Sequence, residues 1–339
     1  MTNGHRKKAL VAGGAGFLGS HLCERLIAQG LDVVCIDNLQ TGCLENLDAL
    51  ARDPRFEMIE ADIVDPLPAA VRRQRFDHVY NFACAASPPR YQLDPEHTLL
   101  TNVLGTRHLL QLAEKAGARF LLTSTSEVYG DPDIHPQPED YRGNVNPTGP
   151  RACYDEGKRA AEAMTFDFAR MDRVAVRVAR IFNTYGPQMQ PDDGRVISNL
   201  ICQALTGDDI TIYGDGTQTR SFCYVSDMVD GLIRLAECEM NGLEPVNLGN
   251  PTELTVNELL ERVIALTGTS AAVVHRPLPT DDPRRRRPDI GRARSLLGWK
   301  PRVPLAEGLA ATCEWFAREI GAGDRRPRPN RIEISVAAE

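Results

Sequence analysis

Tyr154 and Lys158 stand four residues apart in Tyr154-Asp155-Glu156-Gly157-Lys158. On a helix that spacing puts both on one face. An ammonium beside a phenol lowers the phenol's pKa, so the pair suits a group that takes a proton from an alcohol and later returns it. Tyr-x-x-x-Lys alone is common by chance. It gains weight from Thr125, which closes an apolar run in Ser124-Thr125-Ser126-Glu127-Val128-Tyr129-Gly130, where its hydroxyl could hold the same alcohol.

A second pattern, Gly13-Gly14-Ala15-Gly16-Phe17-Leu18-Gly19, joins an apolar run to a helical one. Glycines at 13, 16 and 19 allow a tight turn, close approach of a pyrophosphate and close helix–strand packing. The helix start, with Phe17 and Leu18 in its first turn, offers free N–H groups to phosphate. Asp37 ends the next apolar run. An acid there can bind ribose hydroxyls and repel a 2′-phosphate, which favours NAD over NADP. The plainer reading makes Asp37 a turn residue before Asn38. Asp62, followed by Ile63, is expected beside the adenine, against a simple turn acid. Together these groups describe hydride chemistry at a carbinol carbon.

Such groups must be positioned by a sheet. Lys8–Gly13, Asp32–Ile36, Phe56–Ile59, His78–Phe82 and Arg119–Ser124 read as buried strands, and Gly16–Gln29 and Pro95–Lys115 as helices between them. That alternation predicts an α/β, Rossmann-type, doubly wound parallel sheet that binds ligands at the carboxyl ends of its strands. Residues 130–150 read as a loop, followed by a helix from about Ala152 and a strand at Val174–Val178. After Asn183 come shorter helices, near 195–206, 226–238, 255–267 and 305–320. Short strands are expected near 210–213, 244–247 and 272–275. This half is the expected C-terminal α/β substrate lobe. The expected division is 1–186 mainly for the cofactor and 187–322 mainly for the substrate, with the chain crossing between lobes, and 323–339 as a mobile tail.

Composition narrows the class. The 339 residues are 42% apolar and 25% charged, with 46 acidic against 39 basic side chains, a net −7. The acidic balance argues against a nucleic-acid binder. No apolar run approaches the roughly 20 residues a bilayer needs, and no signal peptide is expected. Nine cysteines without a CxxC pair read as buried thiols in a cytoplasmic protein. The seven histidines form no cluster, so no metal site is expected.

The motifs resemble the extended short-chain dehydrogenase/reductase superfamily, and within its nucleotide-sugar branch the UDP-glucuronate decarboxylases (UDP-xylose synthases). The resemblance covers nearly the whole chain. The Thr-Ser-Glu string and Arg151-Ala152-Cys153-Tyr154-Asp155-Glu156-Gly157-Lys158 carry most of its specificity. Ala86-Ser87-Pro88-Pro89, Asn183-Thr184-Tyr185-Gly186-Pro187, Asp193-Gly194-Arg195-Val196, Tyr213 to Arg220 and Arg286-Arg287-Pro288-Asp289 extend it. It implies a catalytic set of Thr125, Ser126, Glu127, Tyr154 and Lys158, with Ser126-Glu127 replacing the Asp-Glu of related dehydratases. Asn183 and Arg220 would hold the sugar diphosphate, and Arg195, Val196 and Tyr213 the uridine side. Arg286 would face the sugar carboxylate, which a planar guanidinium suits, against the plainer reading of Arg284 to Arg287 as a solvated basic face. Tyr91 would touch the sugar or simply pack its loop.

The implied reaction is NAD-dependent conversion of UDP-glucuronate to UDP-xylose through a UDP-4-keto intermediate, with NAD recycled, in a soluble homodimer without a membrane anchor. The alternatives are a 4-epimerase, a 4,6-dehydratase, or release of the UDP-4-keto-pentose. A non-catalytic dinucleotide-binding regulator is disfavoured by the Tyr154/Lys158 pair. One departure is Gln188, where these decarboxylases usually carry arginine. Loss of that cation is expected to loosen the hold on substrate or intermediate.

Overall fold

Strand Lys8–Ala12 shows how the sequence builds two layers around one sheet. Its residues 9 to 12 are wholly buried, and alternate side chains enter opposite cores. Ala9 and Val11, with Val33 and Cys35 of the next strand, meet helices Phe17–Ala28 and Val225–Glu237. Leu10 and Ala12, with Val34 and Ile36, meet helices Thr106–Ala116 and Ala152–Arg170 on the other face. A strand covered on both faces must be apolar throughout, which is why these runs lack a polar alternation.

The computed structural model describes residues 6–239, 243–279 and 285–323. Apart from Gly323, the expected mobile tail lies outside the described residues. Seven strands form one parallel sheet, in the order Val246–Leu248, Val176–Ile181, Arg119–Thr125, His78–Asn81, Lys8–Ala12, Asp32–Asp37 and Phe56–Glu60. The chain direction of the crossovers reverses between Lys8–Ala12 and His78–Asn81, which opens a crevice at their carboxyl ends. The protein is a Rossmann-type α/β fold.

The second half returns to this sheet. Helix Val225–Glu237 fills the first core, Val246–Leu248 supplies the edge strand, and the Trp299 indole nitrogen donates to the Asp227 carbonyl at 2.9 Å. A third core joins helices Val196–Thr206, Val256–Thr267 and Leu305–Gly323. Beside it the strands Ile210–Tyr213 and Val273–Arg276 pair in parallel.

Two local features differ from the sequence reading. The helix expected over 95–115 is interrupted by a π turn at Thr101–Gly105. There a Cβ on Gly105 would meet Ile63, so glycine lets the helix approach the strand end. The strands Thr184–Tyr185, Thr219–Ser221, Cys223–Tyr224, Glu253–Thr255 and Arg285–Arg286 were not expected. Two or three residues are too few to show a period of two. The nine cysteines are unpaired; Cys23, Cys35 and Cys223 are buried and the others half-buried.

Candidate active site

A cavity of about 1370 Å³ runs from the glycine turn along the carboxyl ends of the strands to the third core. Every candidate site residue identified from sequence lines it, from Gly13 to Arg286.

At one end the backbone does the work. Gly13 has φ of +79°, and a Cβ there would lie 2.7 Å from the Ala83 nitrogen. A Cβ on Gly19 would run into the Gly13 carbonyl. The helix that starts at Phe17 has no side-chain cap, so its first N–H groups stay available. This cradle, open only because side chains are missing, fits a pyrophosphate. Asp37 is fixed beside it: Oδ2 accepts from the Ala15 nitrogen at 2.9 Å and Oδ1 from the Leu39 nitrogen at 2.8 Å. Burial pushes its carboxyl pKa up, against those two N–H groups.

Asp62 accepts from the Asn38 amide and pairs with the His97 ring, each at 2.7 Å. Burial raises its pKa, but the Val64 N–H, Asn38 and His97 outweigh it and hold the carboxyl below its ordinary value. His97, on helix Pro95–Leu100, was missed in the sequence because its partner lies 35 residues away, just past the end of strand Phe56–Glu60.

In the middle lie Tyr154, Thr125 and Lys158. Helix Ala152–Arg170 brings the tyrosine and lysine onto one face, both buried. Tyr91 stacks on Tyr154 with ring centroids 5.0 Å apart and planes 3° from parallel, so it is more than loop packing. Its hydroxyl is buried and meets no hydrogen-bond partner among the described residues. The expected depression of the phenol by Lys158 is not what this site shows. Burial dominates and pushes the Tyr154 pKa up, while the Thr125 hydroxyl and the Arg195 charge oppose it. Lys158 Nζ donates to the Thr123 carbonyl at 2.9 Å and lies 5.8 Å from the Tyr154 ring centre. Burial also lowers the Lys158 pKa, which weakens its hold on a charge.

At the far end Glu127 sits between two guanidiniums. Arg151 Nη2 donates to Oε2 at 2.5 Å and Arg286 Nη1 to Oε1. Burial pushes the carboxyl up, but Arg286 and Arg151 prevail and hold it well below the usual carboxylate range. Strand Arg285–Arg286 decides the reading of the arginine run: it pairs with Thr219–Ser221, so Arg285 faces out while Arg286 is buried, 4% exposed. Arg286 Nη2 also reaches the Gly130 carbonyl at 3.3 Å. Arg151 was present in the motif, but its partner was not evident from spacing.

The cofactor cradle, the buried Thr/Tyr/Lys group and a nucleotide-sized extension therefore share one crevice. Residues 9–249 match the NAD dependent epimerase/dehydratase family. The chain belongs to this family. Within it, the chain is 54% identical over 310 residues to UDP-glucuronic acid decarboxylase 3 of Arabidopsis thaliana, covering 91% of this chain and 89% of that one. It is 51% identical over 315 residues to UDP-glucuronic acid decarboxylase 1 of Danio rerio, covering 93% and 74%. Among solved structures it is similar to the UDP-glucuronic acid 4-epimerase of Bacillus cereus in complex with UDP-glucuronic acid and NAD. That match has a TM-score of 0.83 and 28% identity, over 92% of this chain and 99% of the epimerase.

Against this family background Gln188 has a defined place. It adopts φ of +68°, accepts from Ser20 Oγ at 2.6 Å and donates to Glu24 at 3.2 Å. The side chain ties its loop to helix Phe17–Ala28 of the cofactor cradle. Among the described residues no helix is long and apolar enough to cross a membrane.

Proposed function

We propose that this family member is an NAD-dependent UDP-glucuronate decarboxylase that releases CO2 and forms UDP-xylose. The observation that carries the reading is Arg286, a cation buried at the far end of the crevice and paired there with Glu127, for which a sugar acid would compete. A planar guanidinium in a closed site suits bidentate carboxylate binding. A 4-epimerase acting on a neutral sugar has no use for that cation, and a 4,6-dehydratase would be expected to carry Asp-Glu where this chain has Ser126-Glu127.

The cofactor would lie on the cradle of Gly13, Gly16 and Gly19, with its adenosine end at Asp37, Asn38, Asp62 and Ile63 and its reactive end near Tyr154. When bound, NAD+ supplies a hydride acceptor for C4 of the sugar and returns the hydride at the close of the cycle. In its phenolate form, which the positive charges of Lys158 and of a bound NAD+ would favour against the burial that raises its pKa, Tyr154 takes the C4 hydroxyl proton, and Thr125 steadies the same oxygen. The resulting ketone is β to the carboxylate, so loss of CO2 places the electron pair on the C4 oxygen as an enolate. Donors preorganised at that oxygen, Tyr154 and Thr125, are worth about 3–4 kcal/mol each. Arg286 holds the carboxylate before it leaves. Glu127, kept ionised by its arginines, is an acceptor rather than an acid, so it would orient a solvent water that gives its proton to C5 and leaves as hydroxide. Asn183 and Arg220 hold the diphosphate; Arg195, Val196 and Tyr213 hold the uridine.

The reading extends to a division of labour, with residues 1–186 mainly serving the cofactor and 187–322 mainly the substrate, and to a cytoplasmic homodimer. The exposed Leu99 on helix Pro95–Leu100, which packs against helix Ala152–Arg170, supports a dimer face there. Light scattering after size-exclusion chromatography should give twice the chain mass.

The deciding experiment is product analysis by NMR after incubation with UDP-glucuronate and NAD+. UDP-xylose is expected. UDP-galacturonate instead would make the protein an epimerase, and a stable 4-ketone would mean that the intermediate is released.

A further inference from the structure

Glu127 makes its two ion pairs through different oxygens and with residues from different parts of the chain. Oε2 belongs to Arg151, which directly precedes helix Ala152–Arg170, and Oε1 to Arg286 on the short strand of the second half. The two partners are therefore separable. A sugar carboxylate entering the crevice competes with Glu127 for Arg286, because one guanidinium edge cannot serve both anions equally. A buried carboxylate stripped of its cation either takes up a proton or is displaced, since desolvation disfavours the charged form.

We propose that Arg151 is a positioning residue: it retains the Glu127 carboxylate, paired and aimed into the sugar pocket, when an acidic substrate draws Arg286 away. The proposal rests on the decarboxylase reading for the identity of that acid.

Three observations support it. Arg151 is 8% exposed, so its bond to Glu127 is sheltered from water. Its backbone carbonyl accepts from the Tyr154 and Asp155 nitrogens, which locks the arginine to the first turn that carries the catalytic phenol. Arg286 has a second acceptor in the Gly130 carbonyl and a backbone register with Arg220, so it keeps its place when Glu127 lets go.

The charged and titratable groups felt by Glu127 are Arg286, Arg151 and Arg220, which favour its anion, and Asp155, Tyr154 and Tyr91, which its charge pushes up in turn. Losing Arg151 removes one of the two cations bonded to it. Losing Arg151 with Arg286 engaged removes both.

The test follows the carboxyl carbon of Glu127 by 13C NMR in full-length protein carrying NAD+ and labelled at glutamate side chains. Its signal is assigned by its loss in Glu127→Gln. Tyr154→Phe serves as the background, so that bound UDP-glucuronate is not consumed. With Arg151 present, the signal should stay at its ionised position down to acid pH, with or without nucleotide sugar.

With Arg151→Gln the midpoint should rise by at least about one pH unit, a tenfold gain in proton affinity. It should rise further with UDP-glucuronate but not with UDP-glucose. Arg151→Lys should shift it in the same direction by less, and it serves alone if the glutamine variant does not fold. An unmoved midpoint in the sugar-free Arg151 variants overturns the proposal, whatever the substrate is. A sugar-free shift with no difference between the two nucleotide sugars supports the hold of Arg151 on Glu127 and removes the acidic substrate instead.

Discussion

The two ends of the crevice are built on different physics. At the cofactor end the contacts are backbone N–H groups and a fixed Asp37, and the decisive residues are glycines, where any side chain would block the approach. At the end proposed for the sugar, charged side chains from three separate segments gather as Arg151, Glu127 and Arg286. The first kind of site tolerates no substitution in its geometry but carries little charge. The second depends on charge balance, and one altered partner changes the ionisation of the others. Tyr154 lies at the junction and depends on both.

That junction should show the largest effect. Tyr154→Phe keeps the ring stacked on Tyr91 and removes only the hydroxyl. Turnover should fall by about 10²–10⁴-fold, the usual loss when an acid–base group is removed. Dinucleotide affinity, measured by titration, should be unchanged. Turnover near the original rate would place the base elsewhere and separate the two ends completely.

The sugar end is probed next. Arg286→Ala should remove most of the preference for UDP-glucuronate over UDP-glucose, about ten- to a hundredfold in affinity for a charged hydrogen-bonded pair. Calorimetry of both ligands on this variant and on the outward-facing Arg285→Ala control reads it directly. Equal small losses in both variants would return the arginine run to a solvated face.

The cofactor end should respond more modestly to charge. NAD should bind more tightly than NADP by about 1–2 kcal/mol, the scale of one charge-assisted hydrogen bond. Asp37→Ala should shrink that gap. Fluorescence titration with both dinucleotides is sufficient, and equal affinity in the unmodified protein would contradict the assignment of Asp37.

The smallest effect concerns Asp155, beside the arginine-held glutamate. Burial and the Glu127 charge push its carboxyl up to about 7. An acid whose pKa is raised on folding favours the folded state at low pH, and this contribution is lost as pH rises from its unfolded value towards the folded one. Asp155→Asn does not ionise. Its melting temperature should therefore improve relative to the unmodified protein between pH 5 and pH 8. Parallel melting curves across that range would show that Asp155 keeps an ordinary pKa.

The sequence already contained the sheet, the glycine turn, the Tyr154/Lys158 face and the place of Thr125 at the carboxyl edge of the sheet, because each depends on local spacing. Short continuous apolar runs, the 3.6 period of helices, and glycine where no Cβ fits act over a few residues and leave a readable pattern. Local spacing did not separate the arginines of the run; the resemblance pointed to Arg286, and the tertiary structure turns it inward through a two-residue strand too short to show a period. Tertiary structure also decided that His97 meets Asp62, that Arg151 and Arg286 share Glu127, and that Lys158 faces the Thr123 carbonyl while burial raises the Tyr154 pKa. These outcomes depend on desolvation and on distances between groups remote in sequence. Neither quantity exists until the chain has folded and water has left the crevice.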